Sequence, residues 1–139
     1  MRVMVLVKAS VESEGGALPS TDDLAAMTKF NEELVAAGVM LAGEGLHPSA
    51  AGKRVRFEGK KATIIDGPFA ETKELVAGFW IWQVASLEEA CEWLKRSPFQ
   101  DTEVEVRRVF ESDDFGDSLT PELKAAEQKL RDEVAARTS

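Results

Sequence analysis

The stretch Val76-Ala77-Gly78-Phe79-Trp80-Ile81-Trp82-Gln83-Val84 is rich in β-branched and aromatic side chains and carries one polar residue, Gln83. That composition favours a strand, whose alternation puts Phe79 and Ile81 on one face and Trp80 and Trp82 on the other. Both faces are apolar, so the strand belongs inside a sheet covered on both sides. The N-terminal run Arg2 to Lys8 reads the same way, with Val3, Val5 and Val7 on one face and Met4 and Leu6 on the other. Two such strands in a chain of 139 residues with 44% hydrophobic content point to one packed domain.

Downstream of the strand, Ser86 followed by Glu89 is a capping box for a helix carrying Leu87, Ala90, Cys91 and Leu94. Cys91 reads there as a small buried hydrophobe. Pro98 lies beyond the helix, and Glu103 to Phe110 reads as a closing strand. Upstream, Ser10 to Pro19 is polar, contains glycine and reads as a long loop. Ser20 with Asp23 then starts a helix with Leu24, Met27, Phe30, Leu34 and Ala37 at helical spacing, stopped by Gly38. Val39 to Leu46 is a second strand, and residues 54–57 and 62–65 form a hairpin about Glu58-Gly59-Lys60-Lys61.

The order is β, α, β, an inserted hairpin, β, α, β. This predicts an α+β fold of the ferredoxin-like βαββαβ kind, with both helices on one face of an antiparallel sheet. The other face would leave Trp80 and Trp82, or their opposite neighbours, as an exposed apolar patch, which predicts a homodimer. Past Phe110 the chain turns acidic, and Thr120-Pro121 starts a C-terminal helix with a narrow stripe of Leu123, Ala126, Leu130 and Val134. The expected organisation is therefore a domain over residues 1–110 and an acidic, helical extension over 111–139.

The formal net charge is −8, a field that repels nucleic acid backbones and anionic membranes, so neither is an expected partner. Cys91 is the lone cysteine, which precludes an intrachain disulfide and fits a reducing compartment. The apolar run before Lys8 is too short for a signal-peptide core or a membrane span, and the cytoplasm is the expected location. Glycine-rich phosphate loops and GxSxG elbows are missing, and there is no tyrosine. A lone histidine and a lone cysteine do not make a structural zinc site, so no metal and no cofactor is expected.

His47 is the only histidine, hence the only side chain with an ordinary pKa near neutrality. Asp66 ends the second arm of the hairpin, whose outer ends converge, so the two can meet as a hydrogen-bonded acid–base dyad. Aspartate before Gly67-Pro68 is equally ordinary turn chemistry. Lys53, Arg54, Arg56, Lys60 and Lys61 crowd five cations into one hairpin, either as a solvated face or beside a pocket for a small anion. Arg54, Arg56, Glu71 and Lys73 are candidate ligand-binding residues; Glu71 and Lys73 follow the turn closely enough to reach the His47 site. Ser49 is close to His47 in the chain.

Asp66-Gly67-Pro68-Phe69-Ala70-Glu71-Thr72-Lys73-Glu74 resembles the signature of the DGPF, or YCII-related, domain family. Gly45-Leu46-His47-Pro48-Ser49, Arg54-Val55-Arg56, Gly78-Phe79-Trp80 and Val104-Glu105-Val106-Arg107 support the likeness, which covers roughly residues 1–110. The resemblance implies a dimeric α/β barrel, and a histidine and an aspartate proposed as a site in related proteins match His47 and Asp66. It also implies two functional classes: enzymes, and accessory modules associated with extracytoplasmic-function sigma factors.

Whether the chain is an enzyme stays open at this level. A cofactor-independent enzyme would use His47 as acid or base and Asp66 to orient it, with a small organic molecule in an apolar cleft between sheet and helices. A non-catalytic ligand-binding or regulatory dimer would use the pair as a structural hydrogen bond. An oxygenase-like activity rests on fold analogy alone.

Overall fold

The computed structural model describes residues 1–138, apart from the side chains at positions 73 and 138. Strands β1 (Arg2–Lys8), β2 (Met40–Gly45), β5 (Val76–Gln83) and β6 (Val104–Arg108) form an antiparallel sheet in the order β2-β5-β1-β6. Helices α2 (Thr21–Ala36) and α3 (Leu87–Lys95) make the two crossovers, and β3 (Lys53–Glu58) with β4 (Lys61–Asp66) is a separate two-stranded sheet. This is the ferredoxin-like α+β order with an inserted hairpin, followed by a C-terminal helix, α4 (Pro121–Thr138). Strand limits differ from the sequence reading by a residue or two, as element ends commonly do.

Register explains why both central strands are apolar on each face. Val3 pairs with Trp82 and Val5 with Trp80, while Met4 pairs with Ile81 and Leu6 with Phe79. The first set faces the helices. Val3, Val5, Trp80, Trp82 and Val84 bury against Phe30 and Leu34 of α2 and Ala90 of α3 in one cluster. Phe30 meets Trp80 and Trp82 edge-on at 6.0 and 6.3 Å between ring centres. Fully burying each such side chain contributes ~1.5–3 kcal/mol. The opposite set, Met4, Leu6, Phe79 and Ile81, is only half-buried.

Helix α2 is fixed by its ends. Ser20 Oγ accepts from Asp23 N–H at 3.1 Å, and Asp23 returns the bond by accepting from Ser20 N–H at 3.2 Å. Gly38, at φ +74°, supplies the left-handed residue after the last turn. On α3 Ser86 Oγ accepts from Glu89 N–H at 3.1 Å, whereas the Glu89 carboxylate reaches one residue further back, to Ala85 N–H. Cys91 is exposed, not buried as its neighbours in sequence suggested. Ala90, Trp93 and Leu94 face the sheet, and Cys91 stands on the flank of that stripe.

The segment read as a plain loop contains a helical turn, α1 (Val11–Glu14). Ser10 and Ser13 cap it reciprocally, Ser13 N–H donating to Ser10 Oγ at 3.0 Å and Ser10 N–H to Ser13 Oγ at 2.8 Å. Glycine content outweighed that serine spacing in the sequence reading.

The chain divides into two compact units, Met1–Arg108 and Val109–Ser139. Within the second, Phe110 stacks on Phe115 at 4.9 Å, and Thr120 Oγ1 caps α4 by accepting from Leu123 N–H at 3.2 Å. The stripe of Leu123, Leu130 and Val134 on α4 is exposed. Among the described residues no helix is long and apolar enough to cross a membrane.

Candidate functional site

The C-terminal ends of β1 and β2 and the N-terminal end of β5 lie together, because Val7 and Gly45 both pair with Gly78. Backbone bonds extend the pairing past the strands, from Ala9 N–H to Leu75 O and from Leu46 N–H to Ala77 O, both 2.8 Å. The chain segments that follow β1, follow β2 and precede β5 are therefore gathered at one end of the sheet. They carry α1, His47 and the Asp66-Gly67-Pro68-Phe69 turn respectively.

Side chains fasten these segments to one another through Ser49, which sits in the helical turn Ser49–Ala51. Its N–H donates to Glu14 Oε2 at 2.9 Å, its hydroxyl donates to Glu14 Oε1, and its Oγ accepts from Phe69 N–H at 3.0 Å. Gly67 N–H donates to Gly52 O at 3.0 Å. The backbone is so close here that a Cβ on Gly67 would lie 1.8 Å from Ser49 O. Only glycine fits. The bond between Gly67 and Pro68 is cis. The Arg54 guanidinium lies 3.8 Å above the centre of the Phe69 ring, a stacked cation–π contact that ties the hairpin to the same turn.

Electrostatically the junction rests on Glu14. The Ser49 hydroxyl, and after it the Ser49 N–H, holds the Glu14 carboxyl below its ordinary value of 4.5, against the opposing effect of burial. Hydrogen bonds to an ionised carboxylate favour the charged form. Glu14 and Ser49 are thus the residues that build the junction, and sequence reading missed the first. Its signal is the Ser10–Ser13 capping pair, which makes a helix that aims Glu14 back at the site.

Beside this junction, at the same end of the sheet, a cleft of about 210 Å³ opens between the sheet and α2. Met27, Trp80 and Phe99 give it apolar walls, Gly43, Gly45 and Gly78 leave room along the strands, and Asn31 supplies a polar group. Trp80 Nε1–H donates to Asn31 Oδ1 at 3.0 Å. Since indole nitrogen only donates, this bond fixes the amide's orientation and leaves its NH₂ as the donor on the other side. An apolar cavity of ~150 Å³ holds a benzene ring, so this cleft accommodates a single substituted ring. Asn31 was legible as a polar residue one helical turn after Met27, on the buried stripe of α2.

The sequence-derived site residues fall around this end unevenly. His47 is exposed, two residues beyond the lining residue Gly45, or about 7 Å of extended chain. Asp66 is exposed and its carboxylate is ion-paired with Lys53, its cross-strand partner. Among the described residues no hydrogen bond joins His47 to Asp66. Arg54 is brought to Phe69 as described, Arg56 is exposed on the same face of β3, and Glu71 is exposed after the turn. The side chain of Lys73 lies outside the described residues. Among the described residues no group of three or more His, Cys, Asp or Glu side chains is placed to hold a metal ion.

Comparison with known proteins places these features in context. An uncharacterised protein, R00369, of Rhizobium meliloti (strain 1021) is 36% identical over 69 residues, which are 50% of this chain and 56% of that protein. The chain thus spans little more than half the length of this curated relative. Among solved structures, the fold resembles 5-chloro-2-hydroxyhydroquinone dehydrochlorinase from Burkholderia phenoliruptrix AC1100, in complex with 2,5-dihydroxybenzoquinone. That likeness has a TM-score of 0.45 at 18% identity and covers 80% of this chain and 95% of the other. The sequence profile of the YCII-related domain matches residues 1–113, and the chain belongs to the YCII-related domain family.

Proposed function

We propose that the protein is a cofactor-independent enzyme acting on a small monocyclic organic molecule held in the cleft under Trp80, Phe99 and Asn31. The observation that carries this reading is the convergence of that cleft with the His47 segment and the Asp66–Phe69 turn at one end of the sheet. The aromatic walls hold a flat ring, and the Asn31 amide orients it through a carbonyl or hydroxyl substituent. His47 takes a proton from, or gives one to, the part of the ligand that projects beyond Gly45. Asp66 orients the imidazole after a rotamer change that releases Lys53, and Arg54 and Arg56, on the opposite face of the hairpin with Arg54 stacked on Phe69, receive an anionic substituent that reaches past the turn. Glu71, exposed after the turn, is a further ligand contact. The working unit is a homodimer, which covers the half-buried face of Met4, Leu6, Phe79 and Ile81.

One observation favours a second reading. The Asp66 carboxylate already holds Lys53, as in a purely structural turn, and this suits a dimeric binding or regulatory module. Deuterium exchange separates the two. In D₂O the enzyme reading expects wild-type protein to accelerate exchange of the C–H groups of cyclohex-2-enone that are acidified by its carbonyl. Both His47→Ala and Asp66→Ala should lose the acceleration and keep the wild-type circular dichroism, since both side chains are exposed. Equal rates in wild type and the His47 variant would support the binding module.

A further inference from the structure

The hairpin β3–β4 is an arm with a bare apolar face. Cross-strand pairing sets Val55 beside Ile64 and Phe57 beside Ala62 on one side, with Arg54 and Arg56 on the other. Val55, Phe57 and Ile64 are 52%, 75% and 67% exposed. Among the described residues neither strand packs substantially on any helix or other strand. An isolated two-stranded hairpin is marginal in water, and three aligned apolar side chains are a poor solvent face. The arm is built to be covered.

We propose that the arm of each subunit docks, by its Val55–Phe57–Ile64 face, on the body of a second copy of this chain. This rests on the homodimer proposed above and says how its interface is completed. Charge selects the occupant. The segment Lys53–Asp66 carries five basic side chains and two carboxylates, a net +3, whereas the remainder of residues 1–108 carries eight basic side chains and fifteen carboxylates, a net −7. Arm against arm is repelled, whereas arm against the body of another copy is attracted. On that body Glu44 shares the open sheet face with Phe79 and is exposed at the edge strand, within the kind of surface a cationic arm would meet.

Area points the same way. With strands ~4.8 Å apart and ~3.4 Å per residue, the open face of a four-stranded sheet about five residues long is roughly 320 Å² in projection. The free energy of apolar burial grows with the area covered. The arm's face, two strands of six residues, adds roughly 200 Å² in projection, more than half as much again.

Sedimentation velocity across a concentration series tests this with wild type, Phe57→Glu and Ile64→Glu. These side chains are solvent-exposed within the subunit, so the variants should retain wild-type circular dichroism. The expected result is a wild-type dimer whose dissociation constant rises at least tenfold in each variant and also rises with added salt. A wild-type dimer that both variants match within twofold overturns the docked arm and leaves the dimer standing. A wild type that stays monomeric to 100 μM overturns both.

Discussion

Replacing Gly67 by alanine should loosen the junction that gathers the site. The added methyl would sit 1.8 Å from Ser49 O, 2.7 Å from Ser49 C and 3.2 Å from Gly52 O, all backbone atoms that no side-chain rotation can clear. The turn must therefore move away from residues 49–52. Two hydrogen bonds stretch or break, Gly67 N–H to Gly52 O and Phe69 N–H to Ser49 Oγ, each 3.0 Å. At ~0.5–1.5 kcal/mol apiece they account for about 1–3 kcal/mol. The exposed Arg54–Phe69 contact adds ~0.5–1 kcal/mol. Against this, alanine restricts the unfolded chain and returns ~0.4–1 kcal/mol. The net expectation is a loss of about 0.5–3.5 kcal/mol, centred at about 2 kcal/mol. Urea unfolding followed by tryptophan fluorescence reads it: with a slope of ~2 kcal/mol/M the midpoint falls by about 1 M. Gly45→Ala is the control, because a Cβ there meets nothing within 4 Å and only the restriction of the unfolded chain acts, so its midpoint should equal wild type or exceed it by up to ~0.5 M. A Gly67→Ala midpoint at or above wild type, like that of the control, would refute the packing argument.

Further outcomes follow from other parts of the structure. The Glu14 carboxyl is held below its ordinary value, so its stabilising effect is complete above the usual carboxylate range and disappears as pH falls through the folded-state value. Unfolding midpoints of wild type and Glu14→Gln should therefore differ at pH 7 and converge toward pH 3; a difference independent of pH would contradict the Glu14–Ser49 bonds. Leu34 is fully buried, and Leu34→Ala should cost ~2–5 kcal/mol in the same urea assay, a cost below 1 kcal/mol arguing against the core described. Ser20→Ala should lose ~1 kcal/mol by removing the α2 cap, and no change in midpoint would show that cap to be idle.

Periodicity carried most of the fold. The capping pair at Ser20 and Asp23 and the doubly apolar strands at 2–8 and 76–83 are local signals, and in this fold the local signals agree with the tertiary arrangement. Which face of β5 the helices would take was not legible, because Trp80–Trp82 and Phe79–Ile81 are both apolar. Register with Val3 and Val5 decided it. The site was less legible for a related reason. Glu14 and Ser49 are 35 positions apart, and their bond depends on a helical turn that glycine-rich composition concealed. Asp66 could be placed near the 47–54 segment from hairpin geometry, but that geometry names several partners, and the closest cation across the strand, Lys53, took the carboxylate.

If the cleft under Trp80 and the His47 segment form one ligand site, one ligand should be felt at both. Phenol, a single ring with a hydrogen-bonding substituent, is a suitable probe, and NMR of the lone histidine and the three indole N–H groups reads both places at once. Phenol should shift the Trp80 Nε1–H and the His47 ring protons with the same dissociation constant. Asn31→Ala should weaken both responses together. Shifts confined to residues 109–138, or a Trp80 response that leaves His47 unmoved, would contradict the single site.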